Sequence, residues 1–420
     1  MHSNPPAPVL IWIIAGAAII GIVVRPWKVP EALWASLGAT AAVAFSLISW
    51  SDAIRAIGDG TDVYLFLTGM MLLAELARRE GLFVWAAALA AKHARGSPQR
   101  LFLLIYAVGI LVTVLLSNDA TAVVLTPAVY AATKDAGAPP LPYLFICAFI
   151  ANAASFVLPI SNPANLVVYG AAMPPLARWV AEFGLASVAA ILATYAALRF
   201  TQRAKLGGHI TLRVTVPRLG HGGRLAAAAI VATAVLLAAC SALNRPLGPP
   251  TFFAGAIAWL AIMVVRRAPP WDALRGVSWS VLPLVAALFV LVRAIENTGA
   301  LEPLAQALGG HGTIISPLRA AAASGVAALG ANLINNLPVG LIVAKLLQTA
   351  HASSRAAGAL LIGVDLGPNL SVTGSLATIL WLLALRREGI EVSARRFLGL
   401  GAIVMPLSLA AALGCFLAFA

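Results

Sequence analysis

Charge is scarce in this sequence. Asp, Glu, Lys and Arg make up 10% of its 420 residues, where a soluble domain carries about 25%. With 61% hydrophobic residues and a mean hydropathy of +0.93, that shortage excludes a string of soluble domains. Acids are the scarcer sign, 15 against 28 Lys and Arg, for a net charge of +13. Aromatics reach only 7%. No basic stripe with interleaved aromatics occurs, so the excess charge does not point to nucleic acid. Three cysteines, Cys147, Cys240 and Cys415, each sit alone in an apolar stretch. Unpaired in sequence, they signal neither a disulfide framework nor a thiolate metal site. The six histidines, at 2, 93, 209, 221, 311 and 351, show no metal-ligand spacing, so no metal site is expected. No phosphate loop is present. The chain is therefore expected to hydrolyse no ATP itself. Met1 to Pro8 offers neither a basic n-region nor a small-residue cleavage site. The first hydrophobic run is thus expected to be retained.

Long apolar runs are what the chain has in quantity. A bilayer-spanning helix needs roughly 20 apolar residues, and runs near that length recur from end to end. The composition predicts an all-α polytopic membrane protein, bathed in lipid. The runs also repeat. Arg25-Pro26 and Arg245-Pro246 each precede a run, at an offset of 220, as do Asp52-Ala53-Ile54-Arg55 and Asp272-Ala273-Leu274-Arg275. Glu80-Gly81-Leu82 and Thr298-Gly299-Ala300 match at an offset of 218, as do Ser117-Asn118-Asp119 and Asn335-Asn336-Leu337. Four anchors in one order at nearly constant offset indicate duplication of the whole fold, a common plan in secondary transporters.

Coarse spans in the first half are 8–24, 30–49, 62–78 and 176–199, with interrupted segments at 100–134 (broken at Ser117-Asn118-Asp119) and 141–172 (broken at Pro159 to Pro163). The second half repeats them at 225–242, 251–266, 278–296 and 397–418, with breaks at Asn332 to Pro338 inside 313–349 and between Asp365 and Ser375 inside 355–385. We read 100–134 and 313–349 as re-entrant hairpins, and 141–172 and 355–385 as crossings with unwound centres. The expectation is two inverted five-span repeats, about ten spans plus two hairpins. An N-terminal transmembrane repeat covers 1–200, a basic linker 201–224 and an inverted C-terminal repeat 225–420. On this count the loops of one side take 21 of the 28 Lys and Arg and those of the other take seven. The positive-inside rule then puts the linker in the cytoplasm and both termini outside. A bacterial-type inner membrane is the expected location.

Non-helical backbone at membrane depth is tolerated only where protein buries it or where it lines a wet cavity. Inverted repeats would bring all four breaks together near the midplane. Pro159, Pro163, Pro338, Pro368 and Gly374 stop helices there. The break residues Asn118, Ser161, Asn162, Asn165, Asn332, Asn335, Asn336, Asn369, Thr373, Gly374 and Ser375 are candidate substrate-binding groups. Their short amides and hydroxyls donate and accept hydrogen bonds and suit a small polar solute. The blander reading is that they satisfy freed backbone as caps do. Asp119 and Asp365 are the acids at the breaks. An ionised carboxylate at membrane depth is costly, which marks both as candidates for exchanging a proton during transport.

At these breaks the sequence resembles the arsenite/antimonite efflux permeases (ArsB type) of the ion transporter superfamily. The matching strings are Leu116-Ser117-Asn118-Asp119 with Leu125-Thr126-Pro127, Ser161-Asn162 with Asn165, Ala331-Asn332-Leu333-Ile334-Asn335-Asn336-Leu337-Pro338, and Asp365-Leu366-Gly367-Pro368-Asn369 running to Thr373-Gly374-Ser375-Leu376-Ala377-Thr378. The resemblance spans essentially the whole chain. It departs at Asn369 and Val372, where members of the family commonly carry Lys and Pro. It implies a secondary transporter that exports arsenite, and antimonite with it, in exchange for protons by alternating access. As a transporter the chain is expected to be no enzyme and to need no cofactor. Some relatives work with a separate soluble ATPase, so such a partner is implied too. Arsenious acid is a small neutral trihydroxide at pH 7, which Asn, Ser and Thr can match without a counter-charge. The alternatives are a sodium/proton antiporter, an organic or inorganic anion transporter of the same superfamily, and a channel subunit served by an ATPase. Two aspartates at the breaks, with no Lys or Arg beside them, argue against a dicarboxylate.

Overall fold

The computed structural model describes residues 6–211, 214–267, 274–308 and 315–419. Asp272-Ala273 of the second repeat anchor, Arg213 of the linker, and His2 and His311 lie outside the described residues. Among those described, every regular element is helical.

The first half runs α1 (Pro6–Val24), α2 (Glu31–Ala44), α3 (Trp50–Asp59), α4 (Thr61–Arg79), α5 (Leu82–His93) and α6 (Pro98–Leu115). The chain then re-enters a helix at Asn118–Ala120, widens by one residue per turn over Thr121–Leu125 and returns to α geometry over Thr126–Asp135; we call the whole of it α7. The widening precedes Pro127, which cannot donate to the Val123 carbonyl and whose ring crowds that turn. Next come α8 (Pro140–Ala153), the short α9 (Pro163–Tyr169) and α10 (Leu176–Gln202). The second half follows the same order: α11 (His221–Ala242), α12 (Gly248–Arg266), α13 (Val281–Glu296), α14 (Glu302–Ala307), α15 (Pro317–Ile334), α16 (Asn336–Ala350), α17 (Ser354–Leu366), α18 (Leu376–Arg387) and α19 (Ala394–Phe419).

Local sequence sets these boundaries. Ser97 and Ser316 cap α6 and α15, each accepting from the N–H three residues on, at 3.3 and 3.4 Å, with Pro98 and Pro317 in the first turn. Serine before proline is a favourable helix start, because proline lacks the N–H that would be orphaned there. Five of the described helices, including α6, α11, α12 and α19, are long and apolar enough to cross a bilayer; a sixth span arises if α3 and α4, bent by 47°, are taken together. The span expected at 30–49 is shorter than its apolar run. Helix α2 stops at Ala44, and a turn leads into the separate helix α3. Helices α3, α5 and α14 were not expected from the sequence.

Packing exchanges the halves. Helix α4 lies against α12 and α13 against α2, while α10 packs on α19. A β-carbon on Gly69 would fall 2.1 Å from the Thr251 carbonyl oxygen, and one on Gly255 would fall 2.6 Å from that of Gly69. The α4–α12 seam is therefore backbone against backbone, the small-residue contact that lipid-embedded helices favour. One continuous apolar core links both halves, from Ile11 to Phe416. Trp179 and Trp381 are wholly buried in it, and their indole N–H groups donate to the carbonyls of Phe156 at 3.0 Å and Leu144 at 2.9 Å. The linker is held too. Ile210 N–H donates to Gly96 O at 3.1 Å and Thr211 N–H to Ala136 O at 2.8 Å. The linker thus lies at the end of the molecule where α6 begins and α7 ends.

Candidate functional site

The breaks lie in two interlocked places. Where α8 stops, residues 154–162 run unwound to α9; where α17 stops, residues 367–375 run to α18. Asn162 caps α9 by accepting from Ala164 N–H at 3.0 Å, and its Nδ2 donates to Asp365 Oδ1 at 2.8 Å. That bond joins the two halves. A second runs beside it: Asn152 Nδ2 donates to Asn369 Oδ1 at 3.0 Å, and Asn369 Nδ2 donates to Phe149 O at 3.2 Å. Asn152, Asn369 and Asp365 are all fully buried. Asp365 Oδ2, Asn152 Oδ1 and Asn165 Oδ1 are buried with no hydrogen-bond partner among the described residues. Buried acceptors are seldom left so, and three of them at one crossing point mark a polar centre set in an apolar core.

Other break residues hold the unwound backbone. Asn165 Nδ2 faces the carbonyls of Ser155, Leu158 and Pro159 at 2.8, 3.3 and 3.2 Å. Ser161 Oγ accepts from Leu158 N–H at 3.2 Å and donates to Val114 O at 3.3 Å, tying the break to the end of α6. In the second half, Asn332 Nδ2 donates to Gly367 O at 2.8 Å, while its Oδ1 accepts from Ser371 Oγ at 2.7 Å. Thr373 Oγ1 donates to Asn332 O at 2.8 Å. Asn336 N–H donates to Gly374 O at 2.9 Å. A side chain on Gly374 would meet Pro368 Cα at 2.5 Å and Asn332 Oδ1 at 2.8 Å, so only glycine fits. Ser375 caps α18, accepting from Thr378 N–H at 3.1 Å. Asn335 sits at φ 76°, ψ 153°, a region almost reserved for glycine and strained by about 1–3 kcal/mol. The α15–α16 tip is thus locked onto the 367–375 break.

The α6–α7 tip is different. Ser117 caps α7 through Ala120 N–H at 3.2 Å, and Asn118, buried, accepts from Asp119 N–H at 2.8 Å. Thr121 and Thr113 share a hydrogen bond at 2.8 Å that joins α7 to α6. Asp119 is half-buried and opens on a cavity of about 420 Å³. Phe66, Met70 and Arg78 of α4 line one wall, over about 18 Å of helix. Val123 of α7 and Leu380 and Arg387 of α18 line the other. Asp119, Pro163, Glu75, Arg78, Arg275, Arg387 and Glu388 all belong to the lining; α4 and α18 end at Arg79 and Arg387, which puts the charged group toward the mouth and Asp119 and Pro163 deeper. Of the predicted site residues, Asp119 alone lines this cavity.

Sequence reasoning missed Asn152 and Ser155, which complete the polar centre. The available signal was a lone amide in the otherwise apolar run Phe149-Ile150-Ala151-Asn152-Ala153.

Comparison with known proteins fits this architecture. A family model described as citrate transporter (CitMHS) matches residues 4–367. An uncharacterised transporter of Mycobacterium tuberculosis is 27% identical over 405 residues, covering 92% of each chain. The arsenical pump membrane protein of Escherichia coli strain K12 is 27% identical over 414 residues, covering 91% of this chain and 92% of the relative. Among solved structures, the Alcanivorax borkumensis YdaH transporter aligns over 99% of this chain and 98% of its own with a TM-score of 0.57 at 14% identity, a likeness of fold alone. The family match over most of its length makes this chain a member of the CitMHS citrate transporter family of the ion transporter superfamily: an integral multi-pass membrane transporter, not an enzyme.

Proposed function

We propose that the protein exports arsenite, and antimonite with it, from the cytoplasm in exchange for protons. The observation that carries this reading is the cavity ending on Asp119, next to a centre built from uncharged amides and hydroxyls around Asp365. A neutral trihydroxide can exchange hydrogen bonds with such groups without a counter-ion. The binding set is Asn118, Ser161, Asn162, Asn165, Asn332, Asn335, Asn336, Asn369, Thr373, Gly374 and Ser375, rearranged from the mutual bonds of this state when substrate enters. Asp119 takes a proton from water in the cavity. Asp365 holds one on Oδ2, where no donor among the described residues competes.

The transport cycle rests on two inverted repeats, 1–200 and 225–420, joined by a cytoplasmic linker at 201–224. The α6–α7 and α15–α16 pairs act as re-entrant hairpins and both termini lie outside. The cavity then faces the cytoplasm of a bacterial inner membrane. The matched relatives named as arsenical pump membrane proteins support this substrate class.

A second reading is transport of a citrate-like anion. Arg78, Arg275 and Arg387 near the cavity mouth favour it, as does the family description. Against it, Asp119 at the inner end would repel an anion.

Purified protein in proteoliposomes tests both readings. An imposed pH gradient alone should drive saturable arsenite flux, and citrate should neither be moved nor compete. Citrate flux without arsenite flux would replace the first reading with the second. Arsenite flux that appears only with a soluble ATPase and ATP would overturn proton exchange.

A further inference from the structure

The face opposite the cavity carries a charge cluster with a counterpart at the cavity mouth. Helix α13 begins at Val281 on the cavity wall and reaches Arg293 about 18 Å further along its axis. There Arg293 Nη2 meets Asp59 Oδ2 at 2.6 Å, at the end of α3. Arg293 Nε and Lys345 Nζ converge on Glu296 Oε2 at 3.3 and 3.5 Å. Those are ion-pair distances, and Glu296 Oε2 has no hydrogen-bond partner among the described residues. Lys345 belongs to α16, the returning arm behind the sealed tip. The pair therefore ties that arm to α13 across the closed face.

The same offset of 218 that relates the two tips relates Arg293 to Glu75 and Glu296 to Arg78. The pair recurs on α4 with its charges exchanged. Glu75 directs both oxygens to its own helix, with Arg78 at 2.7 Å and Arg79 at 2.6 Å. It lines the cavity mouth, where α4 and α7 stand apart, with Arg387 and Glu388 among the lining residues.

We propose that Glu296 and Lys345, braced by Arg293 and Asp59, form an electrostatic latch that keeps the face opposite the cavity shut. Glu75 and Arg78, the charge-reversed counterparts of Arg293 and Glu296, are arranged to close on Arg387 and Glu388 when the cavity collapses. The long contacts suit a latch: the pair adds selectivity between states and still opens at modest cost. This inference rests on the alternating-access reading above.

The test uses the full-length protein in proteoliposomes with the native cysteines replaced by alanine. Ala344→Cys, at a buried position beside Lys345, reports opening through its rate of reaction with a membrane-impermeant maleimide, without arsenite. A partly exposed pair is worth enough to raise that rate about two- to fivefold when broken. Glu296→Gln and Lys345→Gln should each do so, and Lys345→Arg should return the rate to that of the parent. The double variant Glu296→Gln/Lys345→Gln should match Glu296→Gln alone, because Lys345→Gln removes an interaction that Glu296→Gln has already broken. Unchanged rates in the singles, or additive effects in the double, overturn the latch. The readout needs no transport, so a failed latch with intact arsenite flux, or a working latch without that flux, separates this inference from the proposed function.

Discussion

The two helix–break–helix tips have the same local design and opposite surroundings. Each begins with a Ser-Pro start, and each ends on a polar cap, Ser117 or Asn335. At the third tip position the first half has Asp119 and the second has Leu337. Asp119 faces the 420 Å³ cavity. Leu337 borders a void of about 10 Å³, and α16 is packed against α9 and α13. The second half keeps its acid elsewhere, as Asp365 in the last turn of α17. The corresponding last turn of α8 carries Asn152. Each half thus supplies one carboxylate, one lining the cavity and one enclosed; in the proposed cycle the first marks the access route and the second the switch at the centre.

Removing the carboxylates tests that division most severely. Asp119→Asn and Asp365→Asn should each lower pH-driven arsenite flux by about 10- to 100-fold, the scale of a coupling free energy between two ligands. They should do so differently. Asp365→Asn retains an acceptor for Asn162 and should fold normally, whereas Asp119→Asn should also flatten the dependence of flux on cytoplasmic-side pH. Placing the acid in the sealed tip reverses the comparison. Leu337→Asp buries a charge with no partner and should lower stability by about 3 kcal/mol, read as a reduced thermal midpoint in detergent. Crowding the second break comes next: Gly374→Ala should cost about 1–3 kcal/mol by forcing apart Pro368 and Asn332. Asn152→Ala deletes one bond between the halves and leaves Asn369 Oδ1 without its donor. It should cost about 1–3 kcal/mol by the same measurement.

The breaks were legible in the sequence because polar strings with proline or glycine interrupt apolar runs, a pattern that lipid-exposed backbone cannot carry. The two acids stood out for the same reason. Asn152 did not, since one amide inside an apolar helix changes neither period nor hydropathy. Helices α3 and α5 escaped because they are short, 10 and 12 residues, and end in charge or turn residues instead of forming span-length runs. The span at 30–49 was overestimated because apolar residues continue through the turn after Ala44. The cavity had no sequence signature at all. It is a gap between α4, α7 and α18, set by how helices from both halves pack. The Glu296–Lys345 pair was hidden likewise, being formed by residues 49 positions apart whose meeting depends on α13 lying beside α16.

The most direct test compares equivalent positions on the two returning arms. Val123 lines the cavity and is half-buried, while Leu341, 218 residues later, is 4% exposed. Val123→Cys and Leu341→Cys, each as the sole cysteine, are labelled in membranes of defined sidedness with an impermeant maleimide. The Val123→Cys thiol should react at least about tenfold faster than the Leu341→Cys thiol, from the linker side only, and saturating arsenite should slow it. Equal rates in the two variants, or reaction of the Val123→Cys thiol from the opposite face, would contradict an open access route at one tip and a sealed face at the other.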